Sequence, residues 1–338
     1  GAVIPDFYTK RPEWGGGIER VVELVGRVSA LEDVVKDKLE LRRTNRIWSV
    51  HSSTAIEGNQ LSVAQVEDVA KGARVLAPPR DVKEVENALA AYDALGSLNP
   101  WDVDDLLRAH RLLTDGLVKE AGAFRTVGVE IVNAVGDVLH TGSRPEKVPR
   151  LVSELLEYGS TSTDHPLIVS SAVHFLIEHI HPFRDGNGRV GRLWQTLVLS
   201  RWRPVFGWMP VEKLIRQRQE GYYLAIQASR DPEIDAAPFI SYMLEVIEES
   251  LVGYEAGARS AATDVGVSDG VNVGVNLPAA VLRLLRAEPG LSAAALATRL
   301  GKTPRTIERH LQALKATGAI HRVGPPKTRH WVIKDGEA

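Results

Sequence analysis

Twelve residues, His181-Pro-Phe-Arg-Asp-Gly-Asn-Gly-Arg-Val-Gly-Arg192, restrict this chain more than any other stretch. An apolar run, 167–180, precedes them, and 188–200 overlaps and follows them, each with apolar residues three and four apart. That spacing predicts helix, tight loop, helix. Gly186 and Gly188 let backbone N–H groups turn toward an anion, and the second helix adds the positive end of its dipole. A phosphate fits such a turn. His181 lies where the first helix gives way to the loop and can accept a proton near pH 7. Asp185 is a hard oxygen ligand suited to Mg²⁺ carried with nucleotide phosphates. Asn187 and the glycine N–H groups are donors for an α-phosphate. Arg189 and Arg192, three apart, share a helix face and reach one polyphosphate. Together these residues point to phosphoryl or nucleotidyl transfer onto a hydroxyl, which needs a base, a divalent cation and cationic donors.

A chain of 338 residues is long enough for two or three domains. No apolar run approaches the ~18 residues of a membrane span, and the first residues lack the pattern of a signal peptide. With no cysteine, disulfides and thiolate metal sites are excluded, and a cytoplasmic location is expected. Charge is uneven. Residues 277–338 carry 11 Lys and Arg against 4 Asp and Glu, net +7, whereas the preceding residues carry 30 against 39, net −9. A basic tail on an acidic body suggests a nucleic-acid contact at that end alone.

Helical spacing recurs over 18–43, 62–71, 83–96, 102–119, 146–158, 211–229 and 236–252 as well. Between 124 and 141 the texture changes: Val127, Val129 and Ile131 alternate with other residues, and 133–136 can turn the chain into Val138-Leu-His, a small β-hairpin. Residues 253–276 read as a linker, with Val271-Asn-Val-Gly-Val as a short strand at most. From Leu277 the pattern is three helices and a hairpin. Ser292 caps the second, Gly301 ends it, and Thr303 with Pro304 starts the third. Ile307, Leu311 and Leu314 form the buried stripe of that third helix, with Arg305 and Arg309 on the opposite side. Ile320-His-Arg-Val, Gly-Pro-Pro and His330-Trp-Val-Ile complete a wing. The tail resembles a winged helix-turn-helix, whose third helix enters a major groove; a protein-docking module is the alternative.

His181-Pro-Phe-x-Asp-Gly-Asn-Gly-Arg-x-x-Arg192 resembles the full signature of the Fic family, enzymes that transfer AMP from ATP to protein hydroxyls. Flanking segments agree: Ala172-Val-His-x-x-Ile-Glu-His-Ile, Lys83-Glu-Val-Glu-Asn-Ala-Leu-x-Ala-Tyr92 and Gly122-Ala-Phe-Arg125. The likeness covers about 45–250. It implies an all-α fold with a small β-hairpin flap, followed here by the α+β winged module. The expected domains are an N-terminal helical region, 1–110, with an inhibitory helix around 48–58, a catalytic core, 111–252, the linker, 253–276, and the winged domain, 277–338. The resemblance also implies His181 as base, Asp185 on Mg²⁺, and Gly186, Asn187, Gly188, Arg189 and Arg192 around ATP. The flap, with Val138, Leu139 and His140, would hold a protein target as an added strand. That target includes the chain itself, and homodimers occur among relatives.

Ser53 and Glu57 are four apart and share a face if helical, with Gly58 able to end the helix. Beside a Fic core they resemble the family's inhibitory helix, in which Glu57 would pair with Arg192. An arginine held bidentately by a carboxylate cannot also hold a γ-phosphate. The main expectation is therefore an AMP transferase restrained in cis by Glu57. The alternatives are a DNA-binding transcriptional regulator whose core senses nucleotide, removal of AMP assisted by the same glutamate, or a donor other than ATP. His174 and Glu178 share a face but lack the His-Glu-x-x-His order of zinc hydrolases, so His174 reads as a packed core histidine. His110 and the other isolated histidines carry no expected role.

Overall fold

A computed structural model describes residues 7–34, 38–132, 136–263, 277–300, 302–316, 318–323 and 330–333. The chain divides into two compact units after residue 262. In the first, α1 (Glu13–Val34), α2 (Lys38–Ile56), α3 (Val63–Ala70), α4 (Pro79–Asp93) and α5 (Val103–Thr114) precede a hairpin of β1 (Glu130–Val132) and β2 (Val138–Thr141). Six helices follow: α6 (Val148–Thr161), α7 (Pro166–Ile180), α8 (Asn187–Trp202), α9 (Val211–Gln217), α10 (Gln219–Ala228) and α11 (Ala237–Thr263).

The centre is the pair α7 and α8, which make the most extensive helix–helix contact. Val173, Phe175 and Ile177 of α7 and Leu193, Trp194 and Leu197 of α8 are buried, each contributing about 1.5–3 kcal/mol of transfer free energy. A helix covered on all sides must also satisfy its polar groups. His174 does so. Its Nδ1–H donates to Gln195 Oε1 at 2.6 Å, and Nε2 accepts from the Tyr222 hydroxyl at 2.9 Å. Burial pushes its pKa down to about 3, so it is a neutral core residue. No group of three His, Cys, Asp or Glu able to hold a metal occurs among the described residues.

Several boundaries differ from the spacing pattern. The segment 18–43 belongs to two helices, α1 and α2. The segment 211–229 divides at Arg218, whose backbone (φ −113, ψ 36) leaves the helical region and whose guanidinium reaches Glu249 at 2.8 Å. Residues 253–263 are helical rather than linker. Leu251, Tyr254 and Ala258 stay buried and hold α11 to the body, although Gly253 and Gly257 dilute the apolar pattern. Residue 110 falls inside α5. The hairpin pairs Glu130 with Thr141 and Ile131 with His140, then shifts register so that Val132 meets Val138. Val127 and Val129 precede β1. The hairpin turn at 133–135, the segment 264–276, Gly301 and the Gly-Pro-Pro of the wing lie outside the described residues.

The second unit comprises α12 (Leu277–Ala287), α13 (Ala293–Leu300), α14 (Pro304–Ala316) and the antiparallel pair β3 (Ile320–Val323) and β4 (His330–Ile333). Ser292 Oγ accepts from Ala295 N–H at 3.1 Å and Thr303 Oγ1 from Thr306 N–H at 3.2 Å, starting α13 and α14. Val281, Leu285, Leu296, Ile307, Leu311 and Trp331 form its core. Arg305 and Arg309 are exposed on α14. Among the described residues no helix is long and apolar enough to cross a membrane.

Candidate active site

The site forms where α7 ends and α8 begins. His181 caps α7 in the left-handed region (φ 54, ψ 60), a conformation that costs a non-glycine residue about 1–2 kcal/mol. Its amide still donates to Ile177 O at 2.9 Å. The ring Nδ1–H points to Glu178 O at 3.4 Å, which leaves Nε2 with a free lone pair. Burial holds the imidazole pKa down at about 4, outweighing the Glu178 carbonyl, and the charges of Arg230 and Arg125 with the nearby His140 push the same way.

Gly186 (φ 87) makes the turn into α8. Its N–H donates to Asp185 Oδ1 at 2.7 Å, so Gly186 shapes the turn and its own amide is not free for an anion. The side chain of Asn187 departs further from expectation. Its Oδ1 accepts from Phe183 N–H at 2.9 Å and its Nδ2 donates to Phe183 O at 2.8 Å. At the first helical position the amide reaches the residue four before it, so it braces the loop. No side chain caps α8, which leaves the N–H groups of its first turn available to an anion.

Both arginines are buried and both meet carboxylates from distant segments. Arg189 Nη1 donates to Glu84 Oε2 at 3.0 Å and Nη2 to Asp185 Oδ1 at 3.4 Å. Arg192 Nη2 donates to Glu57 Oε1 at 2.6 Å and to the Ser53 carbonyl at 3.0 Å, while Nε reaches Ser53 Oγ at 3.1 Å. The Glu57 contact is one hydrogen bond, not the bidentate fork expected, and Ser53 Oγ takes the adjacent Nε of the same edge. Burial lowers the Arg192 pKa, but the Glu57 charge and hydrogen bond more than offset it, and the guanidinium ends above its ordinary value. Glu57 itself sits one residue past α2, with Gly58 (φ 94) turning the chain away. Glu178 is also buried beside Arg192, with its pKa raised by burial first and by the Glu57 charge second.

Gly188 is where these groups converge. A Cβ there would fall 2.5 Å from Glu57 Oε1 and 3.1 Å from both Arg192 Nη1 and Glu178 Oε1. The movable neighbour is the carboxylate end of Glu57, whose side chain is 35% exposed. Gly188→Ala is therefore expected to lift Glu57 off Arg192 and to destabilise the chain by about 1–3 kcal/mol. In a Glu57→Gly background the same change costs much less. Urea unfolding of the four proteins measures the difference, and equal costs in both backgrounds contradict the geometry.

Residues without an expected role complete the site. His110 stacks flat on Phe183, ring centroids 3.7 Å apart. Its Nδ1 accepts from Gly122 N–H at 2.9 Å, so Nε2–H donates to Asp185 O, also at 2.9 Å. Burial pushes its pKa to about 4, and this neutral ring supports the loop from below. Glu84 and Arg125 lie in segments noted only as flanks. In the hairpin, Val138 and Leu139 are exposed. His140 turns inward instead, its Nε2–H donating to His179 O at 2.8 Å, and so fastens β2 to α7. The two-stranded sheet leaves the outer edges of β1 and β2 without a strand neighbour among the described residues.

Comparison with known proteins agrees with this geometry. Residues 100–199 match the Fic/DOC family, and 280–321 match the winged helix-turn-helix DNA-binding family. The chain is 29% identical to protein adenylyltransferase fic-1 of Caenorhabditis elegans over 237 residues, 66% of this chain and 44% of that protein. It spans less than half the length of the curated relatives it matches. A solved fragment of Fic-1 from C. elegans aligns at a TM-score of 0.56 and 25% identity, over 71% of this chain and 73% of the fragment. The crystal structure of a Fic family protein from Desulfovibrio desulfuricans G20 aligns over 98% of both chains at 35% identity and a TM-score of 0.69. With the signature loop, the helical body and the hairpin all in place along that full-length match, the chain belongs to the Fic family.

Proposed function

We propose that the chain transfers AMP from ATP to a serine, threonine or tyrosine hydroxyl of a protein, restrained in cis by Glu57. The observation that carries this reading is one turn that gathers a neutral imidazole, a carboxylate, an uncapped helix start and two buried guanidiniums. The name of the relatives, protein adenylyltransferase, supports the choice of donor and acceptor. In the reaction the acceptor oxygen bonds to the α-phosphorus and its proton passes to His181 Nε2. The bond to the pyrophosphate oxygen breaks, and pyrophosphate leaves with the electron pair. The first N–H groups of α8 and Arg189 stabilise the charge that builds on the phosphates. Arg192 clamps the outer phosphate. Asp185, with its side chain 48% exposed, suits Mg²⁺, which takes one or two carboxylates together with substrate phosphates; when bound, the ion would neutralise phosphate charge. Val138 and Leu139 offer the edge on which a target segment adds as a strand. Intact-mass spectrometry of the Glu57→Gly protein after incubation with Mg²⁺ and ATP, GTP or UTP tests the reading. An AMP adduct from ATP is expected, and no adduct with any nucleotide refutes it.

The winged unit binds DNA through α14 in this reading, supported by the family match and by the exposure of Arg305 and Arg309. Binding of duplex DNA is expected to weaken steeply with salt, and Arg305→Ala with Arg309→Ala to reduce the salt slope by about 2 if each arginine meets one phosphate. Gel-shift titrations from low to moderate salt measure it. A slope near zero in the parent assigns the unit to protein docking.

A further inference from the structure

Arg125 is buried to 3% exposure and pairs with no carboxylate among the described residues. Burial accordingly lowers its pKa. An unpaired buried guanidinium is costly unless its N–H groups are satisfied, and here backbone carbonyls accept from all three of its nitrogens. Nε donates to His181 O at 2.6 Å, Nη1 to Val127 O at 2.9 Å, and Nη2 to Ser143 O at 2.5 Å and to Ile180 O at 3.3 Å. These acceptors lie on three separate segments. Val127 is in the chain leading into β1, Ser143 is just past β2, and Ile180 and His181 join α7 to the signature loop. Two backbone bonds run alongside: Arg125 N–H to Pro182 O at 3.0 Å and Ser143 N–H to Ile180 O at 3.2 Å. The flap stem comes so close that a Cβ on Gly142 would fall 2.8 Å from Arg125 Nη2 and 3.3 Å from His181 Cβ.

We infer that Arg125 is a positioning residue that joins both stems of the hairpin to the backbone of His181, so that the strand edge receiving a target and the base receiving its proton move as one body. The inference rests on the proposed AMP transfer. The planar fork explains the residue type: three rigid directions of donation reach three segments, which the single point of a lysine ammonium cannot span. His181 needs such support because its left-handed backbone turns its carbonyl out of the helix pattern. Arg125 touches none of the groups expected on the phosphates, so the role separates turnover from nucleotide binding.

The test uses Arg125→Lys, Arg125→Met and Gly142→Ala in the Glu57→Gly background. Saturating-ATP rates of AMP incorporation and ATP dissociation constants are measured together with NMR signals of the His181 ring and the Gly142 amide. Arg125→Lys is expected to slow transfer by about 10- to 100-fold, the scale of a reacting group misplaced by about 1 Å, with ATP affinity within about twofold of the parent. The His181 and Gly142 signals shift together. Arg125→Met gives a larger loss, and if it does not fold, Gly142→Ala displaces the stem with the guanidinium intact. A rate within about twofold of the parent, or a loss confined to ATP affinity, overturns the inference. If the parent transfers no AMP at all, the proposed activity fails separately, and unchanged His181 and Gly142 signals in Arg125→Lys still overturn the joint.

Discussion

Glu57→Gly is expected to raise AMP transfer by the isolated chain by about 100-fold, the scale of restoring one well-placed donor to a transition state. The argument is one of occupancy. Arg192 is buried, and its Nη2 is held at 2.6 Å by Glu57 and at 3.0 Å by the Ser53 carbonyl. A guanidinium engaged in that way has its donors directed at protein oxygens. The Glu57 carboxylate also stands next to the turn where the triphosphate charge would lie, so it opposes binding in the productive pose. Removing it leaves Ser53 to orient Arg192 and Glu178 as the nearby carboxylate, which keeps the guanidinium from being stranded as a lone buried charge. The fold therefore survives with a loss of about 1–3 kcal/mol. The measurement is the initial rate of radiolabelled AMP incorporation, alongside the thermal midpoint of each protein. Unchanged activity in a Glu57→Gly protein that remains folded shows that the Glu57–Arg192 pair is structural and nothing more.

His181→Ala in that activated background is expected to lower the rate by about 10²–10⁴-fold, the range for a general base. The pH profile carries a second, finer expectation. The neutral imidazole is the working form, and burial has moved its pKa down from the usual value to about 4. Above that value the ring stays unprotonated, so its contribution is flat from about pH 5 upward and falls only as the pH drops through about 4. An ordinary exposed histidine would instead lose activity below about 6.5. Rates at saturating ATP across this range, in Glu57→Gly and in Glu57→Gly with His181→Ala, separate the two cases. A midpoint near 6.5 means that the ring leaves its buried position before reaction, and retention of the rate in His181→Ala removes it as the base.

The residues of the loop were legible because their chemistry is local. Glycines at a turn, a histidine at a helix end and arginines one turn apart mark a candidate phosphate site through spacing alone. The winged unit was legible for the same reason: Ser292, Thr303 and Pro304 mark helix starts that the structure reproduces within a residue. The pairing of Glu57 with Arg192 spans 135 positions, and the family resemblance was needed to connect them, while the Ser53 contact with Arg192 emerged only from the structure. Side-chain direction was not legible in the same way. Asn187 braces Phe183 instead of standing free for phosphate, and His140 faces α7 although Val138 and Leu139 beside it face outward.

Short-range order alone therefore determined the helix–loop–helix around the candidate site, most of the helical body and the winged tail, since helix spacing, caps and turn residues act over a few positions. Only the tertiary structure decided which buried polar groups meet. Glu84 lies 105 positions from Arg189, Arg125 lies 56 from His181, and His110 lies 75 from Asp185. Those partners are selected by packing, because a charge or amide removed from water must find its counterpart wherever the helices bring one, and no local pattern records where that will be.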